Sequence, residues 1–272
     1  MSDIEKTSRQ MLPAQRQALI LELVRKTGGA SITMLTERLG ASTSTIRRDL
    51  DYLTEQGYLQ RTHGGATVRE SMCSTFEPAS EIGSHVAHDA KVAIGREAAG
   101  LIENGQSVIF DSSSTVFEAA KAMSQRELHI TAVTNDLKIG LTLSANRDIR
   151  LVMLGGTLRP GLFTLTGEPG QSFLGGLHTD LAFVGIHSLA GQRLSETAIE
   201  VAEMKKRMIA ASRRTIVLAD SSKFRDPAFC EVCGLFDVDH IVTDSGIEDK
   251  DRRAIEALDV TLTVVDLPPT AT

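Results

Sequence analysis

Ser42-Thr43-Ser44-Thr45-Ile46-Arg47-Arg48-Asp49-Leu50 is the stretch on which the N-terminal fold turns. Ser42 is a strong N-cap candidate, because its hydroxyl can accept a hydrogen bond from an orphan backbone N–H of the first helical turn. Ile46, Leu50 and Leu53 recur at helical spacing and predict a buried stripe. Ser44, Thr45, Arg47 and Arg48 are left toward the exposed side. Arginine and hydroxyl side chains placed there reach phosphates and guanine edges, the chemistry that reading a major groove requires.

The flanking residues set this helix in a larger pattern. Apolar periodicity over residues 13–26, with Pro13 suited to a first turn, predicts one helix, and residues 34–39, stopping at Gly40-Ala41, predict a shorter second. Three short helices with a glycine turn between the second and third describe a helix-turn-helix. Residues 58–68 read as two short strands around a Gly64-Gly65 turn, which predicts a wing. The expected DNA-contacting residues are Ser42, Ser44, Thr45, Arg47 and Arg48, with Arg61 and His63 of the wing near phosphates. Asp49 is read as a cap or as the partner of Arg48 or Arg38.

Thr45-Ile46-Arg47-Arg48-Asp49-Leu50, Gly57-Tyr58-Leu59 and Arg61-Thr62-His63-Gly64-Gly65-Ala66 occur in an order and spacing that closely resemble the DeoR family of bacterial transcription regulators. The likeness continues through Lys91, Ile94-Gly95, Asp111-Ser112-Ser113-Ser114-Thr115, Val133-Thr134-Asn135, Leu154-Gly155-Gly156, Phe183-Val184-Gly185 and Asp220-Ser221-Ser222-Lys223-Phe224. It therefore extends over nearly the whole chain and implies a sensor domain similar in fold to sugar-phosphate isomerases. It also implies a repressor of a sugar or polyol catabolic operon, acting as a dimer or tetramer. Two departures stand out: Ser112 and Ser113, and Arg225, occupy positions where relatives often carry glycine.

Composition agrees with a two-part chain. Its 272 residues suffice for two domains. Residues 1–70 hold ten Lys/Arg against eight Asp/Glu, whereas the remainder holds nineteen against twenty-seven, so a slightly basic head precedes an acidic body. Residues 71–84, with scattered Ser, Pro and Gly, are read as a linker, giving a winged helix-turn-helix over 1–70 and an effector-sensing and oligomerisation domain over 85–272. No apolar run approaches the roughly 20 residues needed to span a bilayer, and three cysteines, Cys73, Cys230 and Cys233, do not suggest a disulfide framework. A cytoplasmic setting is expected.

Beyond the linker, helices and short apolar strands alternate, with strands expected over 107–111, 130–134, 150–154, 181–185, 215–219, 240–243 and 261–265. That pattern predicts an α/β domain with a mostly parallel sheet covered on both faces. Polar clusters follow the strands directly: Asp111 with Ser112, Ser113, Ser114 and Thr115; Thr134, Asn135 and Asp136; Gly155 and Gly156; and Asp220 with Lys223. Carboxyl ends of strands are where open α/β sheets bind ligands. The serine run at a helix start would cradle a phosphate, Lys223 would supply counter-charge, and Asp111, Asn135 and Asp220 would accept from sugar hydroxyls. A phosphorylated sugar or polyol is the expected effector, relieving repression, with an effector acting as co-repressor or a protein acting as activator as the alternative.

An isomerase-like enzyme, with Asp111, Asp220 or Lys223 as base, is the competing class, and the fused head argues against it. Neither catalytic residues nor a cofactor is expected. Cys230-Glu-Val-Cys233 lacks the second ligand pair of a structural zinc site, so both cysteines are read as packing residues. Lys205-Lys206-Arg207, after Glu196, Glu200 and Glu203, reads as a solvated helix face, although the resemblance implies that Glu200 and Lys205 border the effector region.

Overall fold

The computed structural model describes residues 11–68, 74–75 and 80–267. The chain divides after His88 into two compact units.

The first unit opens with α1 (Pro13–Thr27), β1 (Gly29–Ser31), α2 (Ile32–Leu39) and α3 (Thr43–Glu55), and continues through the hairpin β2 (Leu59–Thr62) and β3 (Gly65–Val68). Left-handed glycines end α1 and α2 at Gly28 and Gly40, the conformation that glycine adopts without steric cost. Ile20, Leu21, Val24, Leu35, Ile46, Leu50 and Leu53 form one buried core, so the stripe expected from residues 46, 50 and 53 faces inward. The wing pairs Thr62 with Gly65 and adds β1 as a third strand on β3. Neither Gly64 nor Gly65 takes a left-handed φ, which corrects the turn explanation of that pair. Gly65 is needed because β1 comes close: a Cβ there would lie 2.0 Å from the Ala30 carbonyl oxygen.

Part of the expected linker is ordered structure. Residues 71–73 and 76–79 lie outside the described residues, but α4 (Ser80–His85) is helical and Ile82 is buried in the core of the first unit. Next to it, Ala87 has φ 52° and its N–H donates to Glu22 Oε1 at 2.5 Å.

The second unit begins with α5 (His88–Gly100), β4 (Ser107–Phe110), α6 (Ser114–Ser124), β5 (Ile130–Thr134), α7 (Leu137–Ser144) and β6 (Ile149–Met153). A small hairpin, β7 (Thr157–Leu158) and β8 (Leu165–Thr166), leads into α8 (Gly170–Leu174) and β9 (Thr179–Gly185). Then come β10 (Ser188–Ala190), β11 (Arg193–Glu196), α9 (Ile199–Ala210), β12 (Ser212–Leu218), β13 (Cys230–Gly234), β14 (His240–Asp244), α10 (Asp249–Glu256) and β15 (Thr261–Val265). Seven strands form the main sheet in the order β15-β14-β12-β9-β4-β5-β6, and every pairing is parallel.

Alternate strand residues explain its two covered faces. Val108, Phe110, Leu181, Phe183, Ile216 and Leu218 pack against α5, α6 and α7. Ile109, Val133, Ala182 and Val184 pack against α8 and α9 on the other side, and Val217 and Ile241 meet α9 and α10 there. Burial on both faces is why these strands read as continuous apolar runs.

Glu196, read from sequence as part of the helix that carries Lys205, is not helical: α9 starts at Ile199, because Arg193–Glu196 is strand β11, paired antiparallel with β10 and β13. The sheet order reverses at β4, which lies between β5 and β9, so chain leaves the carboxyl ends of β4 and β9 in opposite directions. Such a switch point opens the crevice where doubly wound sheets bind ligands.

Candidate nucleic-acid interface and ligand site

In the first unit, Ser42 caps α3 as expected, accepting from the Thr45 N–H at 3.2 Å. Its oxygen also meets Ser44 Oγ at 2.9 Å and Thr45 Oγ1 at 2.8 Å, so three hydroxyls cluster at the positive end of the helix. Ser42, Thr43, Ser44, Arg47, Arg48 and Asp51 line one open depression on the exposed face. His63 is exposed at the wing tip, while Arg61 is engaged, its Nε 3.1 Å from Asp51 Oδ1 and its Nη1 donating to the Gly65 carbonyl.

Asp49 does not pair with Arg48 or Arg38. It is buried beneath α3, where Arg16 of α1 grips both oxygens, Nε to Oδ2 at 2.5 Å and Nη2 to Oδ1 at 3.2 Å, and Gln17 Nε2 adds a third bond at 3.2 Å. Nothing in the local sequence marks a partner 33 residues away.

In the second unit, parallel register brings the expected clusters to one edge of the sheet, since Phe110 pairs with Thr134 and Phe183, Thr134 with Met153, and Leu218 with Gly185 and Val242. Ser113 caps α6 through Val116 N–H at 3.1 Å. Ser112 and Ser114 are half-buried and Thr115 is buried. Thr134 Oγ1 accepts from Asp136 N–H at 3.1 Å, and Asp136 caps α7 through Lys138 and Ile139. Burial raises the Asp136 carboxyl above its usual range, and the negative charge of Asp111 adds to this against the two cap bonds. Asn135 Nδ2 donates to the Leu165 carbonyl at 2.8 Å. Gly155 and Gly156 serve close packing: a Cβ on Gly156 would lie 2.6 Å from Thr166 O, and one on Gly155 would meet the Pro169 ring.

At the end of β12, Asp220 is buried and accepts from Ser222 N–H at 3.1 Å and from the Ser222 hydroxyl. Burial works to raise its pKa, but the Lys223 and Lys91 ammoniums and the Ser222 bonds outweigh it and hold the carboxyl below the usual range. Lys91, on the first turn of α5, is itself buried and was not singled out as a site residue from sequence.

The switch point holds a second feature, one that helical spacing alone did not show and that the resemblance implied only as a border of the effector region. Lys205 is not on a solvated face: its buried ammonium lies 2.7 Å from Asp111 Oδ2, 2.9 Å from Glu196 Oε1 and 2.6 Å from the Gly185 carbonyl. Burial opposes its charge, yet Asp111 and then Glu196 outweigh that and raise its pKa. Glu196 is buried on β11, whereas Lys206 and Glu203 form the solvated i,i+3 pair that the sequence suggested. Four buried side-chain atoms at this edge have no hydrogen-bond partner among the described residues: Asp111 Oδ1, Asn135 Oδ1, Asp220 Oδ2 and Thr243 Oγ1. Cys230 and Cys233 are free and pack against the core of β10, β11 and α9, and no group of three or more His, Cys, Asp or Glu able to hold a metal occurs among the described residues.

Residues 16–72 match the DeoR-like helix-turn-helix domain and residues 86–245 the DeoR C terminal sensor domain. The chain belongs to the DeoR family of transcriptional regulators. This DeoR-family regulator is 31% identical over 254 residues to the HTH-type transcriptional regulator YgbI of Escherichia coli K12, covering 93% of this chain and 98% of the relative. It is 31% identical over 261 residues to the HTH-type transcriptional regulator GlpR of Haloferax volcanii, covering 93% and 98%. The glycerol-3-phosphate regulon repressor of E. coli K12 is 31% identical over 239 residues, covering 86% and 92%. Among solved structures, ribose 5-phosphate isomerase A of Methanocaldococcus jannaschii overlaps at TM-score 0.39 and 19% identity, over 51% of this chain and 55% of that one. Among the described residues no helix is long and apolar enough to cross a membrane.

Proposed function

We propose that this regulator is a cytoplasmic repressor of a sugar or polyol catabolic operon, released from its operator by a phosphorylated sugar or polyol bound at the carboxyl edge of the seven-stranded sheet. The four unpartnered buried atoms carry this reading. Three of them, on Asp111, Asn135 and Asp220, are pure acceptors at the ends of three strands, and Thr243 Oγ1 joins them from a fourth. An unsatisfied buried acceptor costs about 1–3 kcal/mol, so their convergence at the binding edge of this fold calls for a ligand rich in hydroxyl donors. Ser112, Ser114 and Thr115 at the start of α6 and Lys223 beyond β12 offer the phosphate its partners. One relative, the glycerol-3-phosphate regulon repressor of E. coli, is named for a compound of the same class.

Turnover is not its role: Asp220 is held below the usual range, which makes it a poor base at neutral pH, and Asp111 Oδ2 is already taken up by the Lys205 ammonium. On the head, Ser44, Thr45, Arg47 and Arg48 read base edges and phosphates, Ser42 holds the helix end, and Arg61 and His63 touch backbone. A homo-oligomer places two such helices on successive half-sites. The effector binds the DNA-incompetent arrangement more tightly, by a coupling of typically 1–3 kcal/mol, or about 5–150-fold in operator affinity.

The test is fluorescence anisotropy of DNA from upstream of the protein's own gene at fixed salt. Glycerol 3-phosphate, ribose 5-phosphate, fructose 6-phosphate and galactose 6-phosphate are added alongside their unphosphorylated parents. One phosphorylated compound should lower the affinity while its parent does not. Specific DNA binding that no phosphorylated compound changes refutes the effector assignment and leaves the head intact.

A further inference from the structure

The three donors of the Lys205 ammonium are fully used. They meet Asp111 Oδ2 at the end of β4, Glu196 Oε1 on β11 and the Gly185 carbonyl at the end of β9, all within 2.9 Å. Asp111 Oδ2 is also taken by the Gly185 N–H at 3.0 Å, so Oδ1 is the one oxygen of that carboxylate left without a partner among the described residues. Two carboxylates share one ammonium here.

We propose that Lys205 is the positioning residue of the effector site: by occupying Asp111 Oδ2 it fixes Oδ1 as a single acceptor for a hydroxyl of the ligand. The inference rests on the effector reading above and adds which group of the bound molecule meets Asp111. A hydroxyl donor satisfies Oδ1, whereas an ionised phosphate oxygen brings it like charge and no proton to donate.

Other charged and titratable groups lie near this pair, Lys91 and Lys223 beside Asp220 among them. Asp136, at the start of α7, adds negative charge beside Asp111. Burial, then Glu196 and Glu200, raise the Cys230 thiol against the opposite pull of Lys206. Burial, then Asp237 and Glu231, push the Cys233 thiol up to about 12, with Lys205 pulling the other way, so both thiols are neutral at physiological pH.

The test uses the full chain, the operator fragment and the same four phosphorylated compounds, scored as the concentration giving half the response, at pH 6 and pH 8. Comparing each variant with the parent chain at the same pH cancels the ionisation of the compound itself. In Lys205→Met the half-response concentration should rise at least tenfold. Because two buried carboxylates then face each other without a cation, and burial favours protonating one, the deficit should differ between pH 6 and pH 8. A purely structural lysine would give no such pH-dependent deficit. The double variant Lys205→Met/Glu196→Gln removes one charge of each sign and leaves Asp111, the proposed acceptor, in place, so it should show the same raised half-response concentration, and it decides the matter where the single variant does not fold. A parent-like response in the double variant, or an unchanged half-response in Lys205→Met at both pH values, overturns the inference while leaving the effector reading standing. A parent chain that answers to none of the four compounds removes the effector reading and this inference with it.

Discussion

Substituting Asp49 should loosen the reading helix from beneath. Its side chain is 6% exposed and Arg16, which grips both of its oxygens, is 12% exposed. Removing one partner of a buried pair generally costs 3–5 kcal/mol, because a charge is left stranded. Arg16 retains some solvent and a second acceptor, the Met11 carbonyl at 3.3 Å, which lowers the expectation for Asp49→Ala to about 2 kcal/mol. A unit of this size holds only on the order of 6 kcal/mol, so its melting temperature should fall by about 8–16 °C. Calorimetry of the full chain should show the transition of the smaller unit moving while that of the larger one stays. Because the pair is buried, the loss should persist in high salt. The double variant Asp49→Leu/Arg16→Met removes both charges and should recover most of the stability. A shift under 2 °C in the single variant, or a double variant no better than the single, would show that the pair does not anchor α3.

Three further outcomes are expected. Arg47→Ala should weaken operator binding, by about 1–3 kcal/mol with relaxed base preference if the contact is a base edge, or with a salt slope reduced by about one if it is a phosphate; anisotropy titrations at several salt concentrations measure both, and unchanged affinity removes Arg47 from the interface. Gly185→Ala would set a Cβ 2.1 Å from Ser113 Oγ, so it should cost about 1–3 kcal/mol and blunt the effector response by displacing the α6 cap; a normal response refutes the close packing. Burial, and to a lesser degree Arg214, lower the pKa of His240 from 6.5. The unfolded chain therefore binds a proton that the native state resists, and stability should fall as pH drops below 6.5. His240→Gln should flatten that dependence in thermal melts between pH 5 and pH 7.5, and an unaltered slope would assign it to other groups.

The elements legible from the sequence were those whose signals are local. Ser42 before Ile46, Leu50 and Leu53 specifies a capped helix with one buried side, and the chain realises it. Alternation of apolar strands and helices gave the parallel sheet because strands buried on both faces leave no polar alternation to confuse them. Long-range partners were not legible. Lys205 sits among charged neighbours at helical spacing and reads as surface, and its burial follows from β4 and β9 converging 94 and 20 residues upstream. Glu196 was misplaced on a helix because a four-residue antiparallel strand is fixed by partners at Ser188–Ala190 and Cys230–Gly234 rather than by its own composition. Asp49 was read as a cap or as the partner of Arg48 or Arg38, where proximity in sequence is the sole clue, and the true partner, Arg16, lies 33 residues away on α1.

The central place of β4 in the sheet also sets an order on synthesis. Its neighbour β5 leaves the ribosome soon after it, but β9, on its other side, follows about 70 residues later. At 5–20 residues per second, that is roughly 3–14 seconds. Throughout this interval the run Val108-Ile109-Phe110 presents an open apolar edge, the kind of surface that pairs with other nascent chains. The head is assembled from contacts close in sequence and is complete before that edge is closed. A chain stalled or cleaved before Thr179 therefore carries a finished DNA-binding unit on a half-sheet prone to aggregation, which makes the middle of this gene the costliest place for translation to pause.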